Sequence, residues 1–266
     1  MATKKSRYSQ IIESIFEKYH KPGSTEVAFE RPDIIQAAKE LEIQLPKNLG
    51  DVLYSFRYRQ DLPDSIASTA PEGKQWIIRP AGRARYRFAL LTACPIVPSE
   101  MLAETKIPDS TPGIISKYAL SDEQALLAKV RYNRLLDIFT GFACYSLQSH
   151  LRTAVPDVGQ VETDEIYIGI DKRGAHYILT VQAKRRNEKV GIVQIEQDLA
   201  LCAAKFPHLI CRPVAVQFMD DDLIAMFEFE ETDDGIRISS EKHYRLVAPE
   251  DLTPEDLENY SRRNLD

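Results

Sequence analysis

The sequence predicts an α/β protein in which a small, mostly helical N-terminal domain precedes a larger domain built on a sheet. Early in the chain, as in 9–19, apolar residues recur at helical spacing. Short apolar runs separated by polar turns fill 161–247, which is typical of strands. The proline-rich stretch 94–120 shows neither pattern. We place it between domains of residues 1–93 and 121–266, as a linker or as an arm packed on a domain.

The N-terminal domain is predicted to contain three helices and a final hairpin. Its predicted elements are helix 9–19, strand 27–29, helix 32–41, helix 48–59 with Asn48 as its N-cap, and a hairpin of 76–78 and 86–90. This order resembles a winged-helix DNA-binding domain. In such a domain the third helix enters the major groove, and the hairpin, or wing, meets the backbone or the minor groove.

Basic residues concentrate on that third helix and wing. Five lysines and arginines lie between Lys74 and Arg87 with no acidic residue among them, although the net charge of the chain is −6. The resemblance makes the following arginines candidate contacts to double-stranded DNA: Arg57, Arg59, Arg79, Arg83 and Arg85. The alternative is that the wing arginines form only the solvated face of an antiparallel hairpin.

A second predicted hairpin, in the C-terminal domain, brings polar residues together at the ends of two apolar strands. Its polar turn is 171–174. Because side chains two positions apart share a face of a strand, Glu162 lies beside Asp164, and Gln182 beside Lys184. The closed hairpin places Asp164 near Gln182 and Lys184. Carboxylate and amide oxygens bind hard divalent cations, and an ammonium beside them can orient water or stabilise charge developing on a phosphate.

The pattern of Asp164, an apolar hairpin and Gln182-Ala183-Lys184 resembles the PD-(D/E)XK nuclease superfamily. That family has the restriction-endonuclease-like fold, a mixed sheet flanked by helices, in which an Asp begins the second core strand and Glu-x-Lys closes the third. Here Gln182 replaces the usual Glu, as in the Mrr-like branch, and removes one negative charge. The resemblance implies Mg²⁺-dependent cleavage of DNA, with Mn²⁺ able to substitute. It implies catalytic roles for Asp164, Gln182 and Lys184, and metal binding by Asp164, Gln182 and the auxiliary Glu162.

The surrounding pattern agrees with that order of elements. A long helix is predicted from 121 to about 152, a second from 193 to 206, strands at 213–219, 223–229 and 244–247, and a short helix after Thr253. Glu165 is expected on the opposite face of its strand from Asp164. Asn133 and Asp137 on the first helix and Glu196 on the second could reach the site, but ordinary polar or solvated positions are the favoured interpretation of all three.

Composition limits the other classes of function. The 266 residues are 44% hydrophobic, and no apolar run approaches the roughly 20 residues of a membrane helix. No secretory signal follows Met1. The cysteines lack metal-finger spacing and predict reduced thiols in a cytoplasmic protein: Cys94, Cys144, Cys202 and Cys211. No phosphate-binding glycine loop is present, so no nucleotide cofactor is expected.

These observations together predict a stand-alone restriction-type endonuclease. We expect a homodimer, because one such site cuts one strand. One alternative is a DNA-binding regulator that keeps the nuclease fold without cleavage. Another is a nuclease for modified, damaged or branched DNA, or for RNA.

Overall fold

The structure is a computed structural model that describes residues 6–58, 60–82, 84–118, 123–156, 158–186, 188–233 and 235–263. Its helices are α1 (Arg7–Tyr19), α2 (Arg31–Glu40), α3 (Gly50–Tyr58), α4 (Asp64–Ala67), α5 (Gly113–Tyr118), α6 (Glu123–Tyr132), α7 (Leu135–Thr140), α8 (Ile192–Lys205) and α9 (Pro254–Ser261). Its strands are β1 (Glu26–Glu30), β2 (Lys74–Pro80), β3 (Arg85–Thr92), β4 (Glu104–Pro108), β5 (Ala143–Val155), β6 (Gly159–Ile170), β7 (His176–Lys184), β8 (Ile210–Cys211), β9 (Val214–Phe218), β10 (Leu223–Thr232) and β11 (Gly235–Val247). No helix in these ranges is long and apolar enough to cross a membrane.

The N-terminal domain packs α1 to α4 on a three-stranded antiparallel sheet with the order β1-β3-β2. Its core includes Ile11, Phe16 and Trp76, with the rings of Phe16 and Trp76 edge to face at 5.3 Å. The predicted N-cap Asn48 accepts a hydrogen bond from the N–H of Gly50 at 3.1 Å. The three predicted helices, the strand and the hairpin are all present.

The C-terminal domain is an α/β structure whose sheet is flanked by helices on both faces. The strand order is β4-β11-β10-β9-β7-β6-β5, with β8 beside β7. The sheet is mixed, since β7 runs parallel to β9, and β4 parallel to β11, while the other neighbours on this path are antiparallel. Leu126 of α6 and Leu136 of α7 are buried in a core with Leu179 on one face. On the other face, Ile195 and Leu201 of α8 are fully buried.

The helix predicted from 121 to about 152 is wrong in its second half. The structure has α6 and α7 and then β5, an edge strand paired with β6. The helical path is interrupted at Arg134 and ends at Gly141, which have φ of 53° and 75°. Tyr145 and Leu147, which contributed to the apparent helical spacing, are 57% and 53% exposed on β5. The predicted start, Ser121, lies outside the described residues.

The described part of the proline-rich stretch, residues 94–118, packs on the C-terminal domain. Ile96 is buried with Phe227 and Ile236, and β4 pairs in parallel with β11. Apolar burial and a strand ladder therefore hold this stretch against the sheet.

The two domains make specific contacts next to the ends of β6 and β7. The guanidinium of Arg79 on β2 donates two hydrogen bonds to the carboxylate of Glu196 on α8, with Nε and Oε2 2.9 Å apart. Nζ of Lys189 lies 2.6 Å from Oδ2 of Asp61. Ile77 packs against the apolar cluster at the start of α8. These contacts position α3 and the β2–β3 hairpin over the C-terminal sheet.

Candidate functional site

A cleft of about 870 Å³ lies between the two domains. One wall is the sheet, where β5 and the adjoining ends of β6 and β7 meet. The other wall is α3 together with the tip of the β2–β3 hairpin, including Tyr54 and Tyr86. Residues of α6, α8 and the loop after β7 complete the lining. The structure brings the predicted site residues of the sheet wall into this one cleft: Glu162, Asp164, Gln182 and Lys184.

Asp164 lies at the point where β6 and β7 separate. The paired register of the two strands ends at Glu165 and Val181, and the N–H of Ala183 donates to Oδ2 of Asp164 at 2.8 Å. The carboxylate of Asp164 thus satisfies the backbone N–H of Ala183, which lies beyond the paired register of β6 and β7, and this hydrogen bond holds the carboxylate in place. Burial raises the pKa of Asp164, while the hydrogen bond from Ala183 and the charge of Lys184 oppose that rise.

Lys184 is the last residue of β7 and is 9% exposed. Its ammonium lies close enough to two cleft carboxylates, Asp164 and Glu123, to lower the pKa of each. The group that could orient a water and the group that could hold a cation therefore line the same cleft.

Glu123 is a cleft carboxylate that the sequence interpretation missed. It is the first residue of α6 and lines the cleft opposite Lys184 and Glu188. Burial raises the pKa of Glu123 most, and the negative charges of Asp164 and Glu188 raise it further. In the sequence, Glu123 was visible only as an acidic residue at the start of a helix. The tertiary fold brings the start of that helix over the end of β7.

Gln182 does not contact Asp164, and its amide belongs to a directed hydrogen-bond chain. Nε2 of Gln182 donates toward both carboxylate oxygens of Asp198, at 3.2 and 3.1 Å, and toward the carbonyl oxygen of Glu162 at 3.3 Å. Its Oε1 accepts from Nε2 of Gln194 at 3.2 Å. Gln194 in turn accepts from the N–H of Gly191 at 3.2 Å. The carbonyl oxygen proposed to bind metal therefore already has one donor, which leaves one lone pair.

Asp198 is the second residue missed from the sequence. It lies on α8 with no exposed surface, behind Gln182 as seen from the cleft. Burial raises the pKa of Asp198 to about 8, although the hydrogen bond from Gln182 opposes the rise. A signal existed in the sequence, because Asp198 shares the apolar face of its helix with Ile195 and Leu201.

Glu162 and Glu165 occupy the two faces predicted for them. The carboxylate of Glu162 is at the rim of the cleft, 41% exposed, with Oε1 3.1 Å from Nε2 of His150. Its charge raises the pKa of Asp164 slightly. Glu165 is 1% exposed and points away, where it pairs with Arg131 and accepts a hydrogen bond from the hydroxyl of Tyr167 at 2.5 Å.

The donor set of the cleft consists of oxygens, which are the ligands that Mg²⁺ prefers. Asp164 and Glu123 are its most buried carboxylates, and burial is the main cause of the raised pKa of each. No group of three or more His, Cys, Asp or Glu side chains arranged to hold a metal ion is found in the described ranges. A cation here would thus have two carboxylates, an amide oxygen and water as ligands, a set compatible with the water-rich coordination of Mg²⁺.

The candidate DNA-contacting arginines separate into distinct positions. Arg57 of α3 lines the cleft, and Arg85 is exposed beside the glycine turn at the hairpin tip. Arg79 lies in the interdomain ion pair with Glu196 instead of facing the cleft. Arg59 and Arg83 lie outside the described residues.

Two other candidates on the first predicted helix have structural contacts. Oδ1 of Asn133 accepts from the N–H of Ser110 at 2.7 Å, and Oδ1 of Asp137 accepts from the N–H of Cys144 at 3.0 Å. Neither lines the cleft. Both side chains satisfy backbone donors near the helix ends.

Comparison with family models, curated proteins and solved structures finds no match for this chain. The geometry of the cleft is therefore the basis for any functional statement.

Proposed function

We propose that the protein is a metal-dependent endodeoxyribonuclease of the PD-(D/E)XK type whose N-terminal domain is a DNA-binding winged helix. The observation that carries this proposal is that Asp164, Gln182 and Lys184 line one cleft beside the fork of β6 and β7, and that α3 and the β2–β3 hairpin form the facing wall. The candidate chemistry and the candidate DNA-binding elements thus share one space.

The arrangement of elements supports both parts of the proposal. In the N-terminal domain, a helix, a strand, two helices, the short α4 and a hairpin follow one another, which fits the order expected of a winged helix, and β1 lies beside the hairpin strand β3. In the C-terminal domain, β5, β6 and β7 form an antiparallel meander that α6 and α7 precede and α8 follows. That is the order expected of a restriction-endonuclease-like core.

The roles of the side chains follow from their positions. Asp164 and Glu123 would hold Mg²⁺, with Gln182 offering its remaining lone pair and Glu162 adding charge at the rim. The cation would supply Lewis-acid stabilisation of the phosphate. Lys184 orients the attacking water and stabilises the charge that develops on the phosphate as the bond to the leaving 3′ oxygen breaks. Arg57 and Lys189, at the opposite wall and the loop, neutralise neighbouring phosphates.

Restriction-type cleavage of both strands would require two such sites. We therefore propose that the active species on double-stranded DNA is a homodimer with one site for each strand. Sedimentation of the protein with and without a DNA duplex measures this directly.

Incubation of the protein with unmodified and methylated plasmid in Mg²⁺, with chelator as the blank, tests the function. We expect discrete fragments that disappear with chelator, with Asp164→Ala and with Lys184→Ala. Lys205→Ala, which removes an exposed lysine at the end of α8, is the matched control and should cut normally. Fragments from methylated plasmid alone would indicate a nuclease for modified DNA.

A second candidate function is a DNA-binding regulator without cleavage. It is favoured by one observation, that the amide of Gln182 is engaged by Asp198 and Gln194 and is not free at the site. A regulator would shift DNA in a mobility assay equally well with Mg²⁺ and with chelator, and would leave plasmid intact under both conditions.

A further inference from the structure

The replacement of the family's Glu by Gln182 has a structural partner on α8. Nε2 of Gln182 is surrounded by three oxygens, two from Asp198 and the carbonyl oxygen of Glu162, all within 3.3 Å. Gln182 is 2% exposed and Asp198 has no exposed surface, so water cannot take over these contacts. The position needs a donor, which an amide supplies and a carboxylate lacks.

The orientation of that amide is fixed from both ends of the chain. The N–H of Gly191 can only donate, so Oε1 of Gln194 must accept and Nε2 of Gln194 must donate to Oε1 of Gln182. At the other end the oxygens of Asp198 accept from Nε2 of Gln182. Reversal of either amide would bring donor against donor or acceptor against acceptor.

We propose that Asp198 is a positioning residue that requires glutamine at position 182 and holds its carbonyl oxygen on the cleft side. Gln182 is then an adaptation to Asp198 and not the remnant of a lost metal ligand. The inference rests on the proposed function in one respect, that the cleft binds a divalent cation. The hydrogen-bonded pair itself depends only on the contacts above.

An exchange of the two functional groups tests the pair without changing the net charge. Gln182→Glu alone sets a carboxylate against three oxygens, whereas Gln182→Glu with Asp198→Asn restores one donor and one acceptor with the polarity reversed. Gln194 already donates to position 182, and the exchange costs only the long hydrogen bond from position 182 to the carbonyl oxygen of Glu162. The four proteins of this cycle are compared by thermal unfolding at pH 8.5, where a proton shared between two carboxyl groups is least available.

We expect Gln182→Glu to lower the midpoint of unfolding by about 5–10 °C in the native background. In the Asp198→Asn background it should lower the midpoint by less than about 2 °C. Gln217→Glu is the matched control, because Gln217 is also buried and its Nε2 donates to three backbone carbonyls. Its cost should be equal in both backgrounds. An equal cost of Gln182→Glu in both backgrounds would overturn the pairing.

Binding of Mn²⁺ alone, measured by titration calorimetry, separates positioning from a purely structural role. Asp198→Ala should weaken Mn²⁺ binding about 10-fold, because Nε2 of Gln182 then loses its acceptor on α8. The exchanged protein should bind Mn²⁺ more tightly than the native protein, because a carboxylate then faces the cleft. Unchanged Mn²⁺ affinity in Asp198→Ala would overturn the positioning role. If the native protein leaves DNA intact while the unfolding midpoints follow the expected pattern, the proposed nuclease function is refuted and the Gln182–Asp198 pair is not.

Discussion

The two walls of the interdomain cleft differ in how their side chains are held. On the sheet wall, Gln182 and Lys184 are buried, and Asp164 accepts a backbone hydrogen bond at the strand fork. On the N-terminal wall, Tyr54 is 43% exposed and Arg85 is exposed at the hairpin tip. The buried groups of the sheet wall are held by packing and hydrogen bonds, whereas these two side chains of the N-terminal wall are open to solvent.

This difference matches what the two proposed tasks require. Catalysis needs groups held to within a fraction of an ångström, which buried hydrogen-bond networks provide. Contact with a nucleic-acid backbone depends more on charge than on fixed geometry. Substitutions on the two walls should therefore affect different measurements.

The largest effect is expected on the sheet wall. Lys184→Ala and Asp164→Ala should each reduce the rate of plasmid cleavage about 10³-fold, because each removes a group that acts on the reacting phosphate. DNA affinity in chelator should change less than about 3-fold, since both side chains lie on the sheet wall and not on α3 or the hairpin, which are proposed to contact DNA. A variant that lost affinity and rate in equal proportion would show that the sheet wall also binds DNA.

The next effect concerns the pH dependence of stability. The pKa of Asp198 is about 8 in the folded protein, against an ordinary value of 3.8. Between these values the folded protein holds a proton that the unfolded chain has released, so the free energy of unfolding falls as pH rises from 4 to 8. Asp198→Asn should flatten the fall between pH 5 and 8, as measured by urea unfolding. Parallel profiles for both proteins would contradict a raised pKa at Asp198.

A smaller effect is expected on the N-terminal wall. Arg57→Ala should weaken DNA binding about 10-fold in the Asp164→Ala background with chelator and lower the salt dependence by about one phosphate contact. Fluorescence anisotropy at several salt concentrations measures both. Arg237→Ala, which removes an exposed arginine that does not line the cleft, serves as the control. Equal losses of DNA affinity in the two variants would show that α3 is not part of the DNA-binding surface.

The smallest effect is expected at the ion pair that joins the walls. Arg79 and Glu196 are 26% and 22% exposed, so their coupling should contribute about 0.5–1 kcal/mol to the free energy of unfolding. A double-mutant cycle with Arg79→Ala and Glu196→Ala measures it. Additive losses would mean that this ion pair does not help to hold the two domains together.

The sequence was informative wherever the pattern was local. The turn at 171–174 and its flanking apolar runs predicted the β6–β7 hairpin, and strand parity placed Glu162 and Glu165 on opposite faces. Local pattern also misled, because Tyr145 and Leu147 continued a helical spacing although both are exposed on a strand. The chain after Gly141 forms a strand because it pairs with β6, and a local sequence pattern does not encode such pairing.

The two site residues that were not identified from the sequence are brought to the site by the tertiary fold. Glu123 approaches Lys184 because α6 begins over the end of β7, and Asp198 meets Gln182 because α8 packs on the same strand. The partner of Arg79 lies 117 residues away in the chain. The basic run that contains Arg79 predicted a contact to DNA, and only the packing of the domains shows that Arg79 is paired with Glu196.

The packing of Ile77 into the C-terminal core has a consequence for where a phosphodiester bond would be cut. A nuclease whose recognition domain is joined by a long tether can cut far from the bases it reads. Here the third helix, the hairpin tip and Lys184 border the same 870 Å³ cleft. The cut positions should therefore fall inside the footprint that the protein leaves on DNA, and a constant offset of a helical turn or more would mean that the cleft opens before it cuts.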